Sequence, residues 1–221
     1  MTKRISKQLN SFKYKGEPIK ITTGTFAMTS LCILLLIIAT FTQLTVIHPS
    51  TFFHYIAFKL GEYASCPIIK TYKYIPQIPM IFFIVALLGR KFGILALCSY
   101  IILGMFFPIF ALGGGISYFF EYGFGYILAF IPVVFLVGTL LKSNEKFYKV
   151  FLIALVGVLA IHILGTLYLL FIAILRHAPM DLVTSWINSQ SSLQILYDVI
   201  FSLIALYLGR FVRRVLWIVM C

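Results

Sequence analysis

Asp198 is the only charged residue in the run QILYDVIFSLIAL. A carboxylate in so apolar a stretch is costly to bury, and it is retained for what it accepts: N–H or O–H donors, or a proton. Helical spacing puts Gln194, Asp198, Ser202 and Ala205 on one stripe with Phe201 beside it, a polar or small face turned into a bundle while Leu, Ile and Val face lipid. A ligand with paired N–H donors suits such an acceptor; a carboxyl satisfied by neighbouring helices is the structural alternative. His162, Gly165 and Thr166 share one face of a second apolar run. A neutral histidine bonded across helices is the favoured reading there, because no second carboxylate is expected at its depth to make a proton path. A third group lies in GGGISYFFEYGFGY, which holds Gly113, Gly114, Gly115, Glu121, Tyr122 and Tyr126. Glycines let backbone groups approach a solute closely, and irregular backbone at membrane depth survives only where protein or a water-filled cavity satisfies it. A tight helix-helix loop fits the same residues. Gln77 adds an amide near the start of another apolar run.

These groups need a scaffold, and composition sets its class. A chain of 221 residues that is 62% hydrophobic and 11% charged cannot surround itself with a charged shell, so lipid is the solvent for most side chains. The expected fold is an all-α membrane protein in one integral domain, with spans at roughly 25–47, 74–89, 92–111, 124–141, 149–175 and 193–217 after a basic tail, 1–24. The second is the shortest and competes with a re-entrant segment. The first is longer than a signal-peptide core and lacks a small-x-small cleavage site, so it reads as a retained span.

The net charge of +12 sets orientation and implies no nucleic-acid partner. Six spans with both termini cytoplasmic put fourteen of the eighteen basic residues inside and leave Lys59, Lys70, Lys73 and Arg176 outside. Gln77, the glycine turn, Glu121, Tyr122, Tyr126 and the start of the last span then lie toward the exterior, as uptake requires. The connection 48–73 carries Phe52, Phe53, His54 and Tyr55 and reads as an interfacial anchor, or as a lid. Cys32 and Cys98 lie in apolar runs, Cys66 in a polar connection and Cys221 at the last position, so no disulfide framework, metal site or cofactor is expected. Phosphate-binding loops, HExxH and GxSxG are absent, which turns the reading from enzyme to transport or binding subunit.

The stretch from Tyr74 to Phe130 resembles the BioY family of biotin transporter proteins, the substrate-binding (S) components of energy-coupling factor transporters. The family's LG-basic-x-G turn is matched by Leu88, Gly89, Lys91 and Gly93. Its proline near a span end is matched by Pro108, and its GY-x-x-(G/A)-F ending by Gly125, Tyr126, Ala129 and Phe130. A weaker likeness runs through Ile161–Leu169 to the last helix, where the family's Asp is matched by Asp198 but its Lys three residues on is Phe201. Tyr122 where Pro is usual, Ala129 where Gly is commoner and the long 48–73 connection are further departures.

The resemblance implies a six-helix S-component bundle whose ligand has a ureido ring and a carboxylate tail. Asp198 would accept from the ureido N–H groups, and Tyr122, Tyr126 and Tyr168 would wall the rings. With Phe201 in place of the family's Lys, Arg176, Lys70, Lys73 or the glycine-loop amides would hold the carboxylate, or it stays in water. It also implies a transmembrane coupling subunit and ATPase subunits, for which the spacing of Thr25 and Thr29 offers a small-residue docking face. An S component for thiamine or riboflavin, and a membrane assembly protein, are the competing readings.

Overall fold

Thr22 caps the first helix. The Thr25 N–H donates to Thr22 Oγ1 (3.2 Å) and the Thr22 N–H donates to Thr25 Oγ1 (2.9 Å), which satisfies two donors that a helix start leaves open. The computed structural model describes residues 22–48, 51, 59, 70–111, 113–142 and 145–220. The basic tail up to residue 21, and most of the connection expected to form an anchor or lid, lie outside the described residues.

Helix α1 (Thr23–Phe41) has 19 residues, about 28 Å of helix and close to the thickness of a bilayer core. It stops short of the expected end at 47. Thr42 is extended (φ −79°, ψ 127°), and the β-branched residues Thr45, Val46 and Ile47 continue as strand β1 (Leu44–Ile47). β1 pairs antiparallel with β2 (Thr71–Tyr74), Leu44 opposite Tyr74 and Ile47 opposite Thr71. Tyr74 therefore belongs to a strand, and the next helix begins only at Gln77, after Pro76. The expected docking face on α1 turns inward: Thr29 is buried and its hydroxyl donates to the Thr25 carbonyl (2.7 Å), while Phe26, Leu34 and Ile38 are exposed.

Helix α2 (Gln77–Phe106) covers both of the next expected spans, and Gly89 breaks it with φ 79° and ψ −179°, a backbone that only glycine adopts readily. The Gln77 amide donates to the Tyr100 hydroxyl at 3.0 Å across 23 residues of sequence, which unbroken helix would hold about 35 Å apart. The two halves of α2 thus fold back on each other, and a Cβ on Gly93 would lie 3.7 Å from Val85 Cα.

A short 3-10 turn (Ile116–Phe120) leads to α3 (Phe124–Leu140), followed by α4 (Phe147–Leu175), α5 (Met180–Ser191) and α6 (Leu193–Met220). α5 was not expected. It is separated from α6 by Ser192, whose φ −90° and ψ −96° are not helical.

Among the described residues four helical stretches are long and apolar enough to cross a membrane: Thr23–Phe41, Gln77–Phe106, Phe147–Leu175 and Met180–Leu216; α3 is a shorter apolar helix. Two of the four contain the breaks at Gly89 and Ser192. Six expected spans become four because 74–89 and 92–111 merge into one helical element and because α3, at 17 residues, is shorter than a bilayer core ordinarily requires. The chain is a mostly helical membrane protein. Its centre is apolar, with Phe82, Val85, Val134, Val137, Ala154 and Val158 buried, while Ile163, Leu167, Phe171 and Ile174 of α4 face outward. Lipid tails are as apolar as these side chains, so close packing holds such helices together. The Tyr126 ring lies flat on α4 for that reason, where a Cβ on Gly165 would come within 2.4 Å of it.

Gly89→Ala forces a side chain into a glycine-only conformation at the α2 reversal. The expected cost is about 1–3 kcal/mol, read as a lower Tm of the detergent-purified chain; an unchanged Tm would mean that the reversal does not depend on that conformation.

Candidate functional site

Asp198 is wholly buried on the inner face of α6. Ser202, Ala205 and Leu206 are buried on the same stripe, while Leu196, Ile200, Ile204 and Leu208 are exposed, as the helical spacing of the sequence predicts. Both carboxylate oxygens are occupied by donors from other elements. The Tyr74 hydroxyl, from the end of β2, donates to Oδ1 at 2.6 Å, and His162 Nε2, from the middle of α4, lies 3.1 Å from Oδ2. A carboxylate oxygen can only accept, so the Tyr74 phenol is the donor in this pair. Phe201, at the position where the resemblance leads one to expect Lys, packs its ring 5.2 Å from that of Tyr74.

The polar network continues on the other side of the imidazole. His162 Nδ1 lies 3.1 Å from Ser191 Oγ, at the last residue of α5, and Ser191 Oγ lies 2.8 Å from the Tyr126 hydroxyl. Tyr126 in turn reaches Thr166 Oγ1 at 3.2 Å. With Nε2–H donating to the carboxylate, a neutral imidazole accepts from Ser191 through Nδ1, and an imidazolium donates through both nitrogens. One turn beyond Asp198, buried Ser202 Oγ has no hydrogen-bond partner among the described residues. An orphaned hydroxyl of this kind costs free energy that a suitable acceptor would return.

The structure brings some of the expected residues together and separates others. Asp198 and Tyr126 belong to one network, joined through His162 and Ser191. Gln194 is half-buried one turn before Asp198. Gln77 joins a different polar chain, in which it donates to the Tyr100 hydroxyl and Tyr100 lies 3.1 Å from Thr40 Oγ1, tying α1 to both halves of α2.

The glycine turn is spent on its own geometry. The Gly113 N–H donates to the Phe110 carbonyl (3.0 Å) and the Gly115 N–H to the Gly104 carbonyl (2.9 Å), and Gly114 is pressed against Phe107 and Pro108. The amides of Gly113 and Gly115, expected to face a ligand, are therefore already paired. Glu121 lies 3.5 Å from Arg176 at the surface, and Arg176 sits 5.4 Å above the Tyr122 ring, which also meets Trp186 at 5.7 Å. The Tyr168 hydroxyl donates to the Phe119 carbonyl, fixing the 3-10 turn to α4.

Tyr74, His162 and Ser191 are the parts of the network that sequence reasoning missed as site residues. Tyr74 was assigned to a span, and nothing in TYKY distinguishes a strand end that reaches a carboxylate. Ser191 lies in NSQSS, which reads as a loop; the signal available was the spacing of Val183, Trp186 and Ile187, one helical face followed a turn later by Ser191. His162 and Asp198 were placed at different depths, which concealed their contact.

The sequence model of the BioY family matches residues 13–217 of the chain. No curated protein matches it. Among solved structures it is similar to the S-component for biotin from an ECF-type ABC transporter, seen in a crystal structure at 2.1 Å. The identity is 21% and the TM-score 0.61, over 88% of this chain and 95% of that one. At this identity the likeness speaks for a shared S-component-like fold.

Tyr74→Phe removes one of the two donors on a buried carboxylate while keeping the ring. The expected loss is about 1.5–3 kcal/mol of stability, as for a hydrogen bond to a charged group. Thermal unfolding of the purified chain measures it, and a Tm equal to that of the parent would show that Asp198 finds another donor.

Proposed function

This chain belongs to the BioY family, and on that premise we propose that it is the substrate-binding subunit of a biotin uptake system in the plasma membrane. The observation that carries the proposal is the fully buried Asp198 carboxylate with a hydrogen-bond donor on each oxygen. A ureido ring offers two N–H donors flanking a carbonyl. Its N–H groups replace the Tyr74 O–H and the His162 N–H, so the carboxylate keeps charge-assisted hydrogen bonds throughout and is never left bare. The orphaned Ser202 hydroxyl, one turn away, is suited to the ureido carbonyl. Tyr126 and Tyr122 wall the ligand, with Gln194 at its edge. Lys70, just before β2, and Lys73, within it, are exposed; they are the nearest cations in sequence to Tyr74 and are suited to the carboxylate tail at the mouth.

The membrane topology in this reading has six crossings: α1, each half of α2, α3, α4 and α6. The first half of α2, from Gln77 to the break at Gly89, is short for a bilayer core, and β2 and residues 75–76 extend its reach. An even number of crossings returns both termini to the cytoplasm and puts most of the basic residues there. The resemblance to biotin S components supports partnership with a transmembrane coupling subunit and ATPase subunits. With Thr29 turned inward, α1 would meet such a subunit through its large apolar side chains rather than through a small-residue face.

Isothermal titration of the detergent-purified chain with biotin, with thiamine and riboflavin as controls, tests the proposal. Biotin alone is expected to bind. Asp198→Asn, which replaces the charged acceptor with a half-donor amide, is expected to bind roughly ten- to hundredfold more weakly. A folded chain that fails to bind biotin would overturn the reading.

A further inference from the structure

A ligand can reach Asp198 only when one wall of the site moves, since the carboxylate has no exposed surface. α5 is built as such a wall. Its N-terminal side follows His177, which has φ 50°, a left-handed conformation that residues with a side chain seldom adopt. Its C-terminal side ends at Ser192, with φ −90° and ψ −96°. Between these two irregular points, Val183 is the only buried residue of the twelve. An element that buries so little apolar surface between two backbone irregularities belongs to the low-stability end of a fold, where local opening is cheapest.

Beyond the packing of Val183, Trp186 and Ile187 on the core, three small contacts hold α5 and the turn before it closed. Trp186 packs on Tyr122, ring centroids 5.7 Å apart. Arg176 pairs with Glu121 at 3.5 Å, with both side chains about two-fifths exposed at 42% and 44%, where ion pairs contribute little. Ser191 reaches into the site and bonds to His162 and to Tyr126. The last contact is the informative one. Ser191 occupies the polar position between an imidazole nitrogen and a phenol that border the Asp198 network, and it comes from the helix with the fewest buried residues among those described.

We infer that α5 is the movable wall of the site and that Ser191 is its latch, standing in for a ligand's polar group at His162 and Tyr126. The inference rests on reading the Asp198 network as the ligand site. When α5 swings out about His177 and Ser192, the Nδ1 of His162 and the Tyr126 hydroxyl lose Ser191 and become available to the entering ligand. When it returns, Trp186 and Tyr122 close over the ligand from the outer side.

The chain has two tryptophans, Trp186 and Trp217, so fluorine NMR of the full chain labelled with 5-fluorotryptophan reports on α5 directly; Trp217→Phe assigns the signals. Ser191→Ala removes the latch with little change in volume. The expected result is a Trp186 signal displaced toward a second, open position in the ligand-free variant, with biotin associating about fivefold faster, the effect of losing one to two ordinary hydrogen bonds from the closed state. A Trp186 signal unchanged by Ser191→Ala, together with an unchanged association rate, would overturn the gate. A slower association rate or a faster dissociation rate alone would make Ser191 a ligand contact and would equally overturn its role as latch. Failure of the parent chain to bind biotin would sink the biotin reading instead, while the Trp186 displacement, measured without ligand, would still decide whether α5 opens.

Discussion

A carboxylate in a lipid-embedded interior must be given donors by the protein, because water is not there to supply them. The desolvation cost of a buried ion is several kcal/mol, and a single charged hydrogen bond returns about 1.5–3 kcal/mol, so one donor does not suffice and two come close. Asp198 has two. One comes from β2 and the other from α4, while Asp198 itself is on α6, so its solvation requires three separate parts of the chain to meet at one point. The strand pair is explained by the same need: β1 and β2 stop α1 early and deliver Tyr74 to the bundle interior.

Meeting that need forces irregular backbone on a molecule otherwise made of apolar helices. Gly89 reverses α2, so that Gln77 and Tyr100 face each other and the first half of α2 leads directly from Tyr74. Ser192 separates α5 from α6 and places Ser191 against His162 while Asp198 approaches the same ring from its other nitrogen. The glycine turn uses the Gly113 and Gly115 amides to hold the end of α2 to the start of the 3-10 segment. Apart from the Ser202 hydroxyl, the polar groups around Asp198 are thus paired within the protein, and the cost of opening the site falls on α5, which buries only Val183.

Much of this was legible in the sequence where one physical signal dominated. The single carboxylate in an apolar run, and the stripe Asp198, Ser202 and Ala205, were readable because helical period and burial cost point the same way. The shared face of His162, Gly165 and Thr166 was readable for the same reason, and Tyr126 fills it. The family was readable from the ordered motif series between Tyr74 and Phe130, with Gly89 at the reversal. What was not legible depends on tertiary contact. Residues 44–47 are apolar enough to continue a span, and only pairing with 71–74 makes them a strand. The run from Met180 to Ser191 is too polar to signal a span and too short to signal a helix strongly. The contact between His162 and Asp198 depends on how α4 and α6 are staggered, which no local pattern encodes.

The central claim is that the ligand takes over the buried carboxylate from Tyr74 and His162. The chain contains two aspartates, Asp198 and the exposed Asp181, so infrared difference spectroscopy on protein carrying carbon-13 at its aspartate carboxyls isolates the group almost alone. Addition of biotin should shift a labelled carboxylate stretch, and the shifted band should be missing from Asp198→Asn. A labelled spectrum that stays the same while biotin is bound would contradict the account, because the ligand would then be held without touching Asp198.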